Sequence, residues 1–140
     1  MVVSMIVDNP KNHWIFVIPA NRKRRVPMTL DKQQKMNDEY LRHWGKWLIF
    51  EPKKLLKELA KKLDFYVEKG EIPSAKYART PQLGSKVPVM CVYCDDRERE
   101  TIWAILLKLG VKTKIWKYDR QTIEDWKPNG RLFIKAIETQ

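Results

Sequence analysis

The chain has 140 residues, of which 44% are hydrophobic and 32% charged, so it is long enough for one soluble domain with a single core. Its net charge of +11 predicts a surface that attracts phosphates, although a lysine-rich thermophilic surface would carry the same charge. No apolar run approaches the length of a membrane span, and the N-terminal run MVVSMIV stops at Asp8. Neither an anchor nor a secretory signal is expected, and the protein is predicted to be cytoplasmic.

The first half of the chain alternates strand and helix patterns. The aromatic and β-branched run HWIFVI predicts a strand over 13–18. Apolar residues at helical spacing predict a helix over 30–44. KWLIFE predicts a second strand over 46–51, and a lysine-rich amphipathic helix is predicted to follow over 52–70.

The second half contains four further strand patterns and one helix. SAKYAR predicts a strand over 74–79, and VPVMCVYC predicts another over 87–94. A capping pair and an apolar stripe predict a helix over 95–109. VKTKIWKY predicts a fifth strand over 111–118, and RLFIKAIE predicts a last one over 131–138.

These elements predict one α+β domain over residues 1–140, a mainly antiparallel sheet of about six strands with three helices on one face. Each amphipathic helix needs an apolar surface, and one face of a single sheet can receive all three. The opposite face is then left open, and a ligand site is expected there.

The two cysteines, in the motif CVYC, do not predict a metal site. A zinc site needs four ligands, and the sequence has no second pair. Cys91 and Cys94 are three residues apart in a predicted strand, so their side chains point to opposite faces. We therefore expect two buried structural thiols and no metal or other cofactor.

Strand alternation sorts the fifth strand into two sides. The side predicted to face the helices carries Val111, Thr113 and Ile115, and the open side carries Lys112, Lys114, Trp116 and Tyr118. Lysines interleaved with aromatic rings are typical of surfaces that stack bases and bind phosphates. A solvated polar face would show the same pattern in one strand, so this strand alone does not decide between the two.

Two other strands repeat the basic and aromatic composition. In SAKYART, Tyr77 and Arg79 share one side and Lys76 lies on the other. In the last strand, Arg131 and Lys135 share a side with an aromatic residue. This repetition favours a ligand-binding face over a merely solvated one.

No catalytic motif is present. The sequence has no nucleophile elbow, no phosphate-binding glycine loop and no zinc-protease motif. His13 and His43 each adjoin a Trp, which is typical of packing. Asp95-Asp96 and Glu124-Asp125 stand where helix capping explains paired carboxylates better than acid–base chemistry.

Short motifs spread over residues 45–122 resemble an ordered set found in one family. The chain carries GKWLIFEP, a helix, AKYART, VMCVYCDD, a helix ending LKLG, and WKYDRQT. This order is similar to that of the domain-of-unknown-function family of the basophilic leukaemia-expressed protein, also called phosphothreonine lyase domain-containing protein. That family shows G-K-W, A-K-V, C-V-Y-T and Y-K-P-D-x-Y-T. The resemblance implies a curved sheet backed by helices, similar to the cap-binding translation initiation factor.

The resemblance also implies a chemistry. Bacterial phosphothreonine lyases eliminate phosphate with a Lys that takes the α-proton and a His that protonates the leaving phosphate. Leu48 stands at the place of that His, although His43 could approach from the preceding helix. Ser74 and Lys76 stand where the lyases have two lysines. Lys76 is therefore the one lyase-like catalytic candidate, and a non-enzymatic domain is favoured over an enzyme.

The leading prediction is a small basic domain that binds a phosphate-bearing ligand on its open face, nucleotide or RNA in preference to phosphopeptide. The alternatives are a phosphothreonine-lyase-like or other phosphate-handling enzyme, and a protein-interaction adaptor. The predicted ligand-binding residues are Lys46, Lys76, Arg79, Lys114, Trp116, Lys117, Tyr118, Asp119, Arg120, Thr122 and Arg131. WKYDRQT is expected to end the fifth strand and to feed a loop at the rim of the open face, with Asp119 and Thr122 shaping the turn.

Overall fold

A computed structural model of the chain describes residues 6–20, 42–82 and 84–126. Most of the helix predicted over 30–44 lies outside these residues, as do the strand predicted over 131–138 and the candidate Arg131. These predictions stay predictions.

Within the described residues the chain forms six strands and three α-helices. The strands are β1 (Ile6–Val7), β2 (Trp14–Val17), β3 (Trp44–Phe50), β4 (Ser74–Ala78), β5 (Val89–Asp95) and β6 (Trp116–Tyr118). The helices are α1 (Lys53–Lys69), α2 (Arg99–Lys108) and α3 (Asp119–Trp126), and a short 3₁₀ helix over Asp96–Glu98 precedes α2. In this part of the chain, no helix has the length and apolar character needed to cross a membrane.

The six strands form one antiparallel sheet in the order β1-β2-β4-β5-β3-β6. The long strands β3 and β5 pair over their whole length and form its centre, with β4 on the other side of β5. The predicted α+β class and antiparallel sheet are confirmed.

One face of the sheet, here called the helix face, packs against α1 and α2. Helix α1 buries Leu56, Leu59, Ala60, Leu63 and Val67, which recur at helical spacing, while the lysines of its other side are exposed. Ile102 and Leu106 of α2 join the same core. Gly70 ends α1 with φ 82°, a left-handed conformation that glycine adopts without steric cost.

Two predicted boundaries are wrong around the last described strand. Residues 111–115 form no regular strand, so β6 has three residues instead of eight. The predicted loop after it is the helix α3. The backbone N–H of Tyr118 donates to Oε1 of Gln121, three residues on, which is the backward half of a capping box and starts the helix at Asp119.

Candidate functional site

The other face of the sheet, here called the lysine face, gathers polar and aromatic side chains from five strands. One row across the sheet runs Ser74, Tyr93, Lys46 and Lys117, each residue being paired with the next. The neighbouring row runs Phe16, Lys76, Cys91 and Leu48. Because paired residues point to the same face, the alternation of β3, β4 and β5 brings Lys46 and Lys76 to one surface.

The lysine face is not open at its centre, contrary to the sequence-based prediction. Lys46 and Lys76 are each only 7% exposed, and Ser74, Cys91 and Tyr93 are buried too. Lysine is almost never buried without a partner, since removing an ammonium group from water is costly. Two such residues on adjoining rows make this the most unusual charged cluster among the described residues.

Lys46 has a buried counter-ion. Its Nζ donates to Oδ1 of Asp119 at 2.8 Å, and both side chains are less than a tenth exposed. Asp119 reaches the lysine face from the first turn of α3, which contacts β3 and β6. The start of α3 thus fixes the position of the Lys46 ammonium group.

Lys76 has no such carboxylate among the described residues. Its Nζ lies 4.1 Å from the centre of the Trp14 ring and 5.9 Å from that of Tyr93. Burial lowers the pKa of Lys76 below its ordinary value of 10.5; Cys91 opposes this shift and the positive charge of Lys46 adds to it. Lys76 is therefore the group on this face best placed either to bind an anion or to give up a proton.

Tyr93 lies between the two lysines. The Lys46 ammonium group is 5.5 Å from the centre of the Tyr93 ring, and the Lys76 ammonium group is at a similar distance. Trp44 stacks on the same ring at 6.3 Å. Tyr93 also forms a side-chain hydrogen bond with Cys91, whose pKa is raised by burial although both lysines oppose the shift.

Sequence reasoning missed the aromatic part of this site, which consists of Trp14, Trp44 and Tyr93. The signal was present, because Trp44 and Lys46 are two residues apart in one strand, and Tyr93 and Cys91 are two apart in another. The prediction that the two thiols point to opposite faces is confirmed, since Cys94 belongs to the helix-face core.

Three predicted site residues lie on the helix face instead. The Trp116 ring packs edge-on against Trp47, with 5.1 Å between the ring centres. It also lies against Gly45, where an added Cβ atom would be only 2.5 Å from the Trp116 indole. The Lys114 ammonium group binds Glu100 of α2 at 2.7 Å. Tyr118 donates from its hydroxyl to Asp96 at 2.8 Å. The assignment of Lys114, Trp116 and Tyr118 to the ligand-binding face is therefore wrong.

The remaining candidates are dispersed. Arg79 holds the loop between β1 and β2 through Asp8 and the backbone oxygens of Asn9 and Asn12. Arg120 stacks its guanidinium group 4.1 Å from the centre of the Tyr118 ring. Thr122 is half-buried one turn into α3, and its hydroxyl has no hydrogen-bond partner in the described part of the chain. Of the predicted set, the structure brings together Lys46, Lys76, Lys117 and Asp119.

A second polar group lies at the start of the 3₁₀ helix. Ligand atoms of His43, Asp95 and Asp96 are within 4.8 Å of one another, which is a spacing that could hold a metal ion. These atoms already have partners, because Asp96 accepts from Tyr118 and pairs with His43, and Arg97 lowers the pKa of Asp95 to about 2 through its hydrogen bond. His43 is thus held by Asp96 and does not supply a free acid to Lys76.

The lysine face can therefore do two kinds of chemistry. Two ammonium groups over one ring, of which Lys46 alone pairs with a described carboxylate, can bind an anion. A lysine whose pKa is lowered by burial can also act as a general base. No family model, no curated protein and no solved structure matches the chain, so the resemblance to the phosphothreonine lyase domain family and to the cap-binding factor stays a prediction.

Proposed function

We propose that this protein binds a phosphate-bearing ligand at the lysine face, between Lys46 and Lys76. The observation that carries the proposal is the buried ammonium group of Lys76, which has no carboxylate partner among the described residues. A buried charge without a counter-ion is costly, and an anionic ligand would relieve that cost.

The charge balance of the cluster supports an anion. Among the described residues, Asp119 pairs with Lys46 and no carboxylate pairs with Lys76, so the cluster keeps an excess of positive charge. Low exposure strengthens this attraction, because little water screens the ammonium groups. A chain of net charge +11 would also steer phosphates towards it.

The aromatic rings favour a nucleotide over a phosphate on a flexible aliphatic carrier. Trp14 and Trp44 are half-buried and belong to the cluster, Trp14 beside Lys76 and Trp44 stacked on Tyr93. A base stacked on such a ring gains binding energy that a simple phosphate ester lacks. The resemblance to the cap-binding translation initiation factor agrees with this preference.

Replacing Lys76 by Met is expected to weaken phosphate binding by about 10- to 100-fold, since one hydrogen bond to a charged group contributes about 1.5–3 kcal/mol. The affinities for inorganic phosphate, AMP and a short single-stranded RNA would be measured at low salt by tryptophan fluorescence and calorimetry. Lys62→Met, at an exposed position of α1, is the matched control and should leave these affinities nearly unchanged.

The stability of Lys76→Met separates loss of binding from loss of folding. Because the pKa of Lys76 is lowered in the folded state, the unfolded chain binds the proton more tightly. Lys76 therefore destabilises the fold at neutral pH, and this penalty decreases as the pH rises from its lowered pKa towards 10.5. Lys76→Met should melt above the unliganded wild type at pH 7, with a smaller difference at pH 10. Unchanged phosphate affinity in a folded Lys76→Met variant would refute the proposed site.

A second function, a phosphothreonine-lyase-like elimination, is favoured by the lowered pKa of Lys76. A neutral amine at this position could take the α-proton of a bound phosphothreonine, and the C–O bond to phosphate would then break to leave a dehydrated residue. The lyase mechanism also needs a general acid that protonates the leaving phosphate, and the sequence lacks the lyase histidine at that position. Leu48 occupies the lyase histidine position, and across the sheet it pairs with Cys91, which lies next to Lys76.

A phosphothreonine peptide incubated with the protein would test this second function by mass spectrometry. Lyase activity predicts a product lighter by one phosphoric acid, formed slowly because no acid assists the leaving group. Leu48→His should then raise the rate, whereas Lys76→Met should abolish product. Product that survives Lys76→Met, or no product from either wild type or Leu48→His, would exclude the lyase.

A further inference from the structure

Ser74 has a buried hydroxyl group that none of the described residues satisfies. Its relative exposure is 0%, and its Oγ has no hydrogen-bond partner. Buried hydroxyl groups are nearly always hydrogen-bonded, because leaving one unpaired forfeits its hydration without replacement. An unpaired hydroxyl is therefore a cost that a ligand could remove.

The strand register places this hydroxyl beside the proposed phosphate site. Ser74 pairs with Tyr93, over which both lysine ammonium groups lie, and it is two residues from Lys76 on the same strand. Residues two apart in a strand share a face, so Ser74 and Lys76 both belong to the lysine face. Ser74 is more deeply buried than either lysine.

We propose that Ser74 is a specificity-determining residue that makes the site select a terminal phosphate, the phosphoryl group of a monoester. This inference rests on the proposed function. A phosphomonoester has three non-bridging oxygens, one for each of Lys46, Lys76 and Ser74. An internal phosphodiester has only two, and a second substituent blocks its approach. Because Ser74 is fully buried, a phosphoryl group has to enter the cluster to reach its unpaired hydroxyl.

The inference excludes the internal backbone of RNA as the group bound at the centre of the site. A nucleotide or a chain end with a terminal phosphate remains compatible, as does a phosphorylated side chain. Ser74 would donate its hydroxyl proton to one phosphoryl oxygen, and the two ammonium groups would bind the others.

Methyl phosphate and dimethyl phosphate form the minimal pair of probes, with inorganic phosphate as the smallest ligand. The wild type should bind methyl phosphate at least about tenfold more tightly than dimethyl phosphate, a difference of about 1.4 kcal/mol. Ser74→Ala should lose about tenfold in affinity for methyl phosphate while its affinity for dimethyl phosphate changes little. The two probes differ in charge by the same amount for the wild type and for Ser74→Ala. A weaker preference of Ser74→Ala for methyl phosphate would therefore be due to the loss of the hydroxyl group.

The unliganded protein gives a second readout. Ser74→Ala removes an unsatisfied hydroxyl, so its thermal midpoint should equal or exceed that of the wild type. Ser85→Ala is the matched control, because Ser85 donates to the backbone oxygen of Val87 in a loop that precedes β5. It should lose some stability and keep wild-type affinity. Ser74→Cys, with a similar volume and a weaker donor, should fall between Ser74→Ala and the wild type in affinity.

The outcomes separate this inference from the proposed function. If the wild type binds none of the probes, both are overturned. If Lys76→Met loses binding while Ser74→Ala keeps both its affinity and its preference for the monoester, only the role of Ser74 is overturned. A thermal midpoint of Ser74→Ala well below that of the wild type would mark a structural role and would also overturn it.

Discussion

Replacing Trp47 by Ala is expected to lower the free energy of unfolding by about 3–5 kcal/mol, the usual cost of truncating a core tryptophan. Trp47 is 2% exposed, and its ring contacts those of Trp103 and Trp116 at centre-to-centre distances of 5.1 Å each. Its indole N–H donates to the backbone oxygen of Arg99 at 3.0 Å. Truncation would thus remove the ring that joins the sheet to α2, together with the indole hydrogen bond to that oxygen.

Urea unfolding followed by circular dichroism would measure the loss, since the signal of the remaining five tryptophans complicates fluorescence. Trp14→Ala is the control, because Trp14 is half-buried on the lysine face beside Lys76. It should cost less stability than Trp47→Ala. If the two variants lose equal stability, the three-tryptophan cluster is not the centre of the helix-face core.

The packing of Trp116 shows where strand alternation fails to assign side chains to the correct face of the sheet. Val111 lies in the helix-face core as predicted, yet Trp116, five residues later, also packs against that core. Alternation would place these two residues on opposite sides of one strand. The intervening residues 112–115 form no strand, so the alternation loses its phase there. The sequence VKTKIWKY contains no residue that predicts this interruption of the strand.

The long elements were predictable because their patterns are continuous. Helix α1 has an unbroken apolar stripe ended by a glycine, and its observed bounds differ from the prediction by one residue at each end. Strands β3, β4 and β5 keep their alternation throughout, so the shared face of Lys46 and Lys76 follows from the sequence once the strand order is known. The strand order itself depends on long-range pairing, which short-range patterns do not specify.

The burial of the two lysines could not be predicted in the same way. Lysine side chains in alternating strands usually extend into water, and the sequence therefore indicated an open basic face. What makes Lys46 different is Asp119, a residue 73 positions away that reaches it from the start of α3. The unusual chemistry of the site thus arises from a tertiary contact and not from a local motif.

Asp119→Ala is expected to cost about 3–5 kcal/mol of stability, because it leaves the Lys46 ammonium group buried without its carboxylate. The two groups are 2.8 Å apart and both are nearly inaccessible to water. The double variant Lys46→Met with Asp119→Ala should recover most of this loss, since the Lys46 ammonium group is removed together with its carboxylate. Glu100→Ala, which removes the exposed partner of Lys114, should have a much smaller effect.

A double-mutant cycle by urea unfolding measures the coupling between Lys46 and Asp119, and added phosphate extends it to the proposed function. In Asp119→Ala the ammonium group of Lys46 has lost its competing carboxylate, so inorganic phosphate should bind more tightly and should stabilise this variant more than the wild type. This result would show that Lys46 can exchange the carboxylate of Asp119 for a bound phosphate. A loss below about 1 kcal/mol, with no added response to phosphate, would instead mean that Lys46 reaches water once Asp119 is removed, and that burial does not confer anion affinity on this face.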